Sequence, residues 1–486
     1  MSNLSDLKPR LLWENFSKIC SIPHPSKHEA KILAYLLDWA KQKNITVKQD
    51  ETGNLIFSKP ATKGMENRKG VILQGHIDMV PQKNSDKVHD FTKDPIETVI
   101  GNDGWVRANG TTLGADNGIG CAAAMAVLES TDIEHGPIEV LVTVDEETGM
   151  TGAFGLKPNM FKGEILMNLD SEDEGELYVG CAGGLDATLE VDYKEVAVPG
   201  GMKAFKIAVT GLKGGHSGMD IILGRGNANK IIIRLLKKLI RDYGIRIASI
   251  DGGSLRNAIP REAFATVVVP QEKKDAFKAC VKAFASVMQN EFSGTEPNLT
   301  IEIVDTDMPS VIMGSECQET IINVVYALPN GVMRMSDSME GLVETSTNLA
   351  IVKSEKGKVT IMCLLRSSVD SAKEAVGEKM TAVAELAKAK ITLSGAYPGW
   401  KPNMESPILK TMQKTYHDLY GKIPEIKAIH AGLECGLLGG VYPHWDMISF
   451  GPTIRNPHSP DERVNIESVG KFWNFLLATL KNVPVK

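Results

Sequence analysis

Apolar and polar positions along this chain follow two periods, and the switches between them predict its elements. After Ser26-Lys27-His28-Glu29, which has the form of a capping box, apolar Ile32, Leu33, Leu36, Leu37 and Ala40 recur at helical spacing and predict a helix. Short strand-like runs follow at 45–48 and 54–58. Three apolar runs, 70–74, 138–144 and 164–169, then end in the polar groups Gly75-His76-Ile77-Asp78, Asp145-Glu146-Glu147 and Asp170. Runs of this kind suit central strands covered on both faces. Open α/β sheets bind ligands beyond the carboxyl ends of their strands, where these polar groups would lie.

After Gly183-Gly184 the pattern changes. Strand 204–210, helix 224–242, strands 245–250 and 263–269, helix 273–289 and strand 299–304 spell β-α-β-β-α-β. A less regular α+β stretch covers 321–394, with strands at 343–352 and 359–365 and a helix at 371–389. Beyond Gly395, helix 407–420, strand 446–450 and a terminal helix at 467–480 return to helix–strand alternation. The reading is a discontinuous α/β domain with a mixed sheet, formed by 1–185 and 395–486. An α+β lid, 186–394, is inserted in it and hinged near Gly183-Gly184 and Ser394-Gly395.

Size agrees with that division: 486 residues exceed the roughly 250–300 at which one core stops growing. With 43% hydrophobic and 23% charged residues, large-scale disorder is excluded. A net charge of −6 with scattered Lys and Arg argues against nucleic-acid partners. No run reaches the ~18 apolar residues of a membrane span, and the N-terminus lacks the apolar core of a signal peptide. Seven cysteines without a C-x-x-C pair read as thiols in a reducing cytoplasm.

The candidate chemistry lies in His76, Asp78, Asp116, Glu146, Glu147, Asp170 and His458. Each alone has a bland reading: a satisfied core histidine, a turn aspartate, a surface glutamate pair. Together they match what a dinuclear hydrolytic centre requires, namely a bridging ligand, terminal ligands for each metal and a general base. Histidine and carboxylate suit Zn2+. Two such ions polarise a carbonyl and lower the pKa of water towards ~7.

The motifs that carry these residues resemble the M20 metallopeptidases. They are Gly75-His76-Ile77-Asp78-Met79-Val80, Thr112-Leu113-Gly114-Ala115-Asp116-Asn117-Gly118 and Asp145-Glu146-Glu147-Thr148-Gly149. Asn168-Leu169-Asp170-Ser171, Gly214-Gly215-His216-Ser217-Gly218 and the late His458 complete the set, which spans nearly the whole chain. Within the family, the Val179–Gly184 run, the long insert and His430-Ala431-Gly432-Leu433-Glu434-Cys435-Gly436 look most like the aminoacyl-histidine dipeptidase branch.

The resemblance implies that Asp116 bridges two Zn2+ ions, for which Co2+ or Mn2+ can substitute. It implies that Glu147 and His458 complete one metal and His76 and Asp170 the other. Glu146 is then the general base, and Asp78 holds the His76 ring through its second nitrogen. In the insert, His216 donates to the oxyanion and Asn257 meets the substrate, with Arg366 as a fork for a terminal carboxylate; beyond the insert, Gly436 lies in a glycine-rich segment that can bring backbone N–H groups to the substrate. The implied function is hydrolysis of dipeptides, Xaa-His and β-Ala-His types included. Members of the family often dimerise through the lid, which points to a homodimer, though a lid as large as this one can also take the partner's place. Alternatives are an N-acyl-amino-acid deacylase, which Asp170 opposes, and a tripeptidase. A non-catalytic scaffold is opposed by the filled base and bridging positions.

Overall fold

A computed structural model describes residues 4–486; residues 1–3, the start of the expected 1–185 segment, lie outside the described residues. The three apolar runs form Val71–His76, Ile138–Thr143 and Ile165–Asn168, parallel neighbours at the centre of an eight-stranded sheet. Every residue of the first and third is buried. Asp446–Ser449 adds a fourth parallel strand beside Ile165–Asn168. On the other side Leu55–Lys59 pairs antiparallel with Ile138–Thr143, and Thr46–Gln49 antiparallel with Leu55–Lys59, so the sheet is mixed, as the pattern predicts. His76 pairs with Thr143, and Gln74 with both Leu141 and Asn168. The polar groups that follow the three runs therefore leave the sheet at one end.

The helix predicted after Ser26 is present as Ala30–Gln42, but the capping box is not. Glu29 is the N-cap residue and makes no side-chain cap hydrogen bond. Ser26 Oγ instead donates to Asp78 Oδ2 at 2.7 Å, and Glu29 Oε1 accepts from the N–H groups of Lys27 and Asp145 at 2.9 and 3.1 Å. Partners far away in sequence have displaced the local ones.

The chain divides into two compact units. The first comprises Met1–Gly180, Trp400–Ala428 and Leu433–Lys486; the second comprises Cys181–Gly399 and Ile429–Gly432. In the second unit the two α+β stretches share one antiparallel sheet. They join where Asp251 and Gly252 pair with Lys353 and Val352. A single apolar cluster from both stretches, including Phe205, Leu236, Phe277, Ile321, Leu349 and Met380, lies under it. The predicted helices are Ala228–Tyr243, Lys274–Glu291 and Asp370–Leu386; Ser315–Ala327 is a further one that the pattern did not reveal. Gly183 and Gly184, read from sequence as a hinge, begin the ten-residue strand Gly183–Asp192. A Cβ on Gly183 would overlap the backbone of 397–399, and one on Gly184 the Tyr397 ring, so the close approach of this segment accounts for both glycines. Among the described residues no helix is long and apolar enough to cross a membrane.

Candidate metal centre

At the carboxyl end of the first unit's parallel strands, two histidines and three carboxylates converge with Asp116. Helix Ala115–Glu129 carries it, but Asp116 and Asn117 depart from helical backbone angles, with ψ of 105° and 33°. Asn117 then turns inward, where its amide donates to Leu169 O at 2.8 Å. Gly75 and Gly120 leave room for that side chain; a Cβ on either would overlap Asn117 Oδ1. The glycine before His76 is thus explained by a residue forty-two positions away.

The two oxygens of Asp116 face different histidines. Oδ1 lies 3.2 Å from His76 Nε2, and Oδ2 lies 3.2 Å from His458 Nε2. Asp170 Oδ1 stands 3.3 Å from His76 Nε2, close enough for charge attraction but misaligned for a hydrogen bond. Glu147 Oε2 stands 3.0 Å from His458 Nε2, and Glu146 Oε2 lies 4.0 Å from His76 Nε2. Two donor sets result, His76–Asp116–Asp170 and Asp116–Glu147–His458, with Asp116 common to both; His76, Glu146 and Glu147 form a third grouping.

Asp78 has a wider task than steadying an imidazole. His76 Nδ1 lies 3.1 Å from the Asp78 carbonyl oxygen and 3.4 Å from its carboxylate. The carboxylate accepts the N–H groups of Glu146 and Glu147, at 3.0 and 3.2 Å, and the Ser26 hydroxyl. It therefore holds the Glu146–Gly149 turn as well as the histidine. Asp145, at the head of that turn, has a left-handed φ of 53°, uncommon outside glycine. Its side chain takes hydrogen bonds from the hydroxyls of Thr148 and Thr151, which pin the conformation.

The electrostatics are those of crowded acids. Burial pushes Asp170 up to about 7 and Glu146 well above the usual carboxylate range, with nearby carboxylates adding to both. Glu172 rises to about 8 from burial and the charges of Asp116 and Asp170. Burial would also raise Asp78, but its contacts with His76 and Ser26 hold it at about 2. Hydrogen bonds to Asp116 and Glu147 push His458 up to about 11. A donor set this rich in anionic oxygen and imidazole nitrogen fits divalent cations. Glu147 Oε1, buried without a hydrogen-bond partner, fits them too.

Sequence reasoning passed over a polar ladder beneath the site. Glu434 is 1% exposed, and its Oε2 accepts from Gln74 Nε2 at 2.6 Å and Thr143 Oγ1 at 2.8 Å. Gln74 Oε1 accepts from Asn168, and Asn168 Oδ1 from Ser449. Four adjacent strands are thus joined side chain to side chain just below the ligand end. Gly436 lies in helix Glu434–Val441, where its N–H donates to Leu433 O at 3.0 Å.

The remaining candidates lie in the second unit. His216 Nδ1 accepts the N–H groups of Gly218 and Met219, at 3.3 and 3.1 Å, which leaves the ring proton on Nε2. Burial and the Arg366 charge lower its pKa, so the ring is neutral at pH 7. Asn257 is exposed in the adjoining loop, where its carbonyl accepts from Ser217 N–H. Arg366 is only 6% exposed. Its guanidinium donates to Ser217 Oγ and Tyr397 Oη, both at 3.4 Å. Those long contacts to neutral hydroxyls leave a buried cation with capacity for an anion.

Strand ends that present histidine and carboxylate around a shared aspartate are the working surface of a metal-assisted hydrolase. The chain belongs to peptidase family M20/M25/M40, whose sequence model matches residues 72–482. Divalent-metal binding comes with that family. The chain is 50% identical to the cytosol non-specific dipeptidase of Escherichia coli (strain K12) over 486 residues, all of both chains. Its structure superposes on that of an aminoacylhistidine dipeptidase from Vibrio alginolyticus with a TM-score of 0.96 and 51% identity, covering 100% of this chain and 99% of that one. A Staphylococcus aureus tripeptidase, at 17% identity and a TM-score of 0.56 over 98% and 99% of the chains, shares the fold.

Proposed function

We propose that this protein hydrolyses dipeptides, Xaa-His peptides among them, with a pair of Zn2+ ions. The observation that carries the reading is Asp116, whose two carboxylate oxygens serve separate histidine-containing donor sets. His76 and Asp170 would hold one ion, Glu147 and His458 the other, with Asp116 shared. When bound, such ions supply Lewis acidity to a carbonyl and make water a stronger acid. The names of the full-length relatives, dipeptidases at 50% and 51% identity, support the substrate class. Buried thiols at Cys20, Cys121 and Cys363 and the cytosolic relative support a reducing compartment.

The residues divide the work. The Glu146 carboxylate takes a proton from the attacking water as the new C–O bond forms. It returns that proton to the amine nitrogen as the C–N bond breaks. His216, neutral with its proton on Nε2, is the donor to the oxyanion. Arg366 grips the substrate's terminal carboxylate, and Asn257 lies in the loop beside His216.

Metal-stripped protein is expected to cleave Ala-His and β-Ala-His only after Zn2+ is restored, and to leave a tripeptide and an N-acetyl amino acid intact. Cleavage of the N-acetyl amino acid alone would replace the dipeptidase reading with deacylation. The carboxylate clamp makes a separate claim. Arg366→Lys, which keeps charge but loses the planar fork, is expected to raise KM for a dipeptide by roughly 10-fold, the equivalent of one charged hydrogen bond. The same peptide as its C-terminal amide is expected to be little affected. Equal losses on both substrates would rule the clamp out.

A further inference from the structure

Glu462 follows His458 by four residues, yet its carboxylate is 2% exposed and reaches the other donor loop. Oε2 accepts the N–H groups of Leu113 and Gly114 at 2.7 and 3.0 Å. Oε1 accepts those of Ala115 and Asp116 at 2.7 and 3.3 Å. Four consecutive amides at the start of helix Ala115–Glu129 thus converge on one carboxylate. Helix starts leave such N–H groups without intrahelical acceptors, and the helix dipole favours an anion there. On its own side Glu462 closes a turn, its N–H donating to Ser459 O at 2.9 Å.

The His458 loop needs such an anchor. Asn456 and His458 both adopt left-handed φ, 55° and 59°, a conformation that persists in non-glycine residues when surrounding contacts impose it. The His458 side chain is 53% exposed, so packing does little to hold it. Its Nε2 nevertheless lies 3.2 Å from Asp116 Oδ2. One end of the Glu462 contact is the Asp116 backbone itself, and the other lies on the loop that carries His458.

We propose that Glu462 is a positioning residue that ties the Asp116 and His458 loops together and thereby sets the spacing of two metal donors. The inference rests on the metal reading given above. Support of this kind around metal ligands typically changes metal affinity or activity by 10–100-fold. A helix cap without that role would change stability and leave metal affinity alone.

The test is Glu462→Gln, which keeps the size but turns an NH2 towards two amide donors. Zn2+ affinity would be measured by competition titration on the metal-stripped protein, beside wild type and Glu146→Gln. The expected result is a Kd raised roughly 10–100-fold in Glu462→Gln, near wild type in Glu146→Gln, with the kinetic loss in kcat more than in KM. Wild-type Zn2+ affinity in a folded Glu462→Gln overturns the positioning role and leaves the metal reading intact. Failure of the wild type to take up Zn2+ overturns both. Amide hydrogen exchange on the wild-type apoprotein decides the matter if the variant does not fold. Protection of the 113–116 amides matching the helix core supports the tie, and exchange at exposed-loop rates overturns it.

Discussion

Glu146→Gln is expected to lower kcat for a dipeptide by roughly 10²–10⁴-fold, the usual contribution of a positioned general base, while metal content stays at the wild-type level. The adjacent pair Glu146-Glu147 poses a problem that sequence leaves open, since either residue can be base or ligand. Their surroundings differ. Glu147 is turned to His458, 3.0 Å away, with a side chain 5% exposed and its second oxygen buried without a partner. Glu146 stands farther from any histidine, 4.0 Å from His76, and its side chain is 16% exposed. The more enclosed carboxylate suits a ligand, and the more open one suits a group that must meet water and a leaving amine. Glutamine preserves the size of Glu146 and the backbone bonds to Asp78, so fold and ligands are retained while the proton acceptor is lost. Metal analysis beside steady-state kinetics checks this. Parallel loss of metal and turnover would place Glu146 among the ligands and make Glu147 the candidate base.

What the sequence revealed about the site follows from where the chemistry sits. His76, Asp145 to Glu147 and Asp170 each close an apolar run, and parallel strands bring such ends together whatever their separation along the chain. The strands and most helices were legible for the same reason, because period and burial are local properties. Partners chosen across the fold were not. Ser26 has the sequence signature of a helix cap, but a buried carboxylate at Asp78 offers its hydroxyl a stronger acceptor. Gly183 and Gly184 have the composition of a hinge, yet Tyr397 in a strand more than two hundred residues later requires their missing side chains. Glu434 sits in the 430–436 motif, which says nothing of its role, and Glu462 sits in none. Their meaning lies in contacts with Gln74 and with the 113–116 amides, 360 and about 350 positions away. No window of sequence contains both ends of such a contact.

The larger expected effect belongs to Asp116→Ala, because this residue alone serves both donor sets. Losing Glu147 removes one donor from the set with His458, and losing Asp170 removes one from the set with His76. Either single loss leaves the other set whole. Asp116→Ala removes a donor from each at once and takes away the acceptor that both histidines face. The prediction is therefore a ranking. Asp170→Ala and Glu147→Ala retain close to one ion per chain after dialysis. Asp116→Ala retains neither and loses more than about 10³-fold in kcat/KM, since Lewis-acid assistance amounts to several kcal/mol and each 1.4 kcal/mol is tenfold. Asn117, next in the chain, keeps its own bond to Leu169 O, so the fold is expected to survive, and circular dichroism checks that it does.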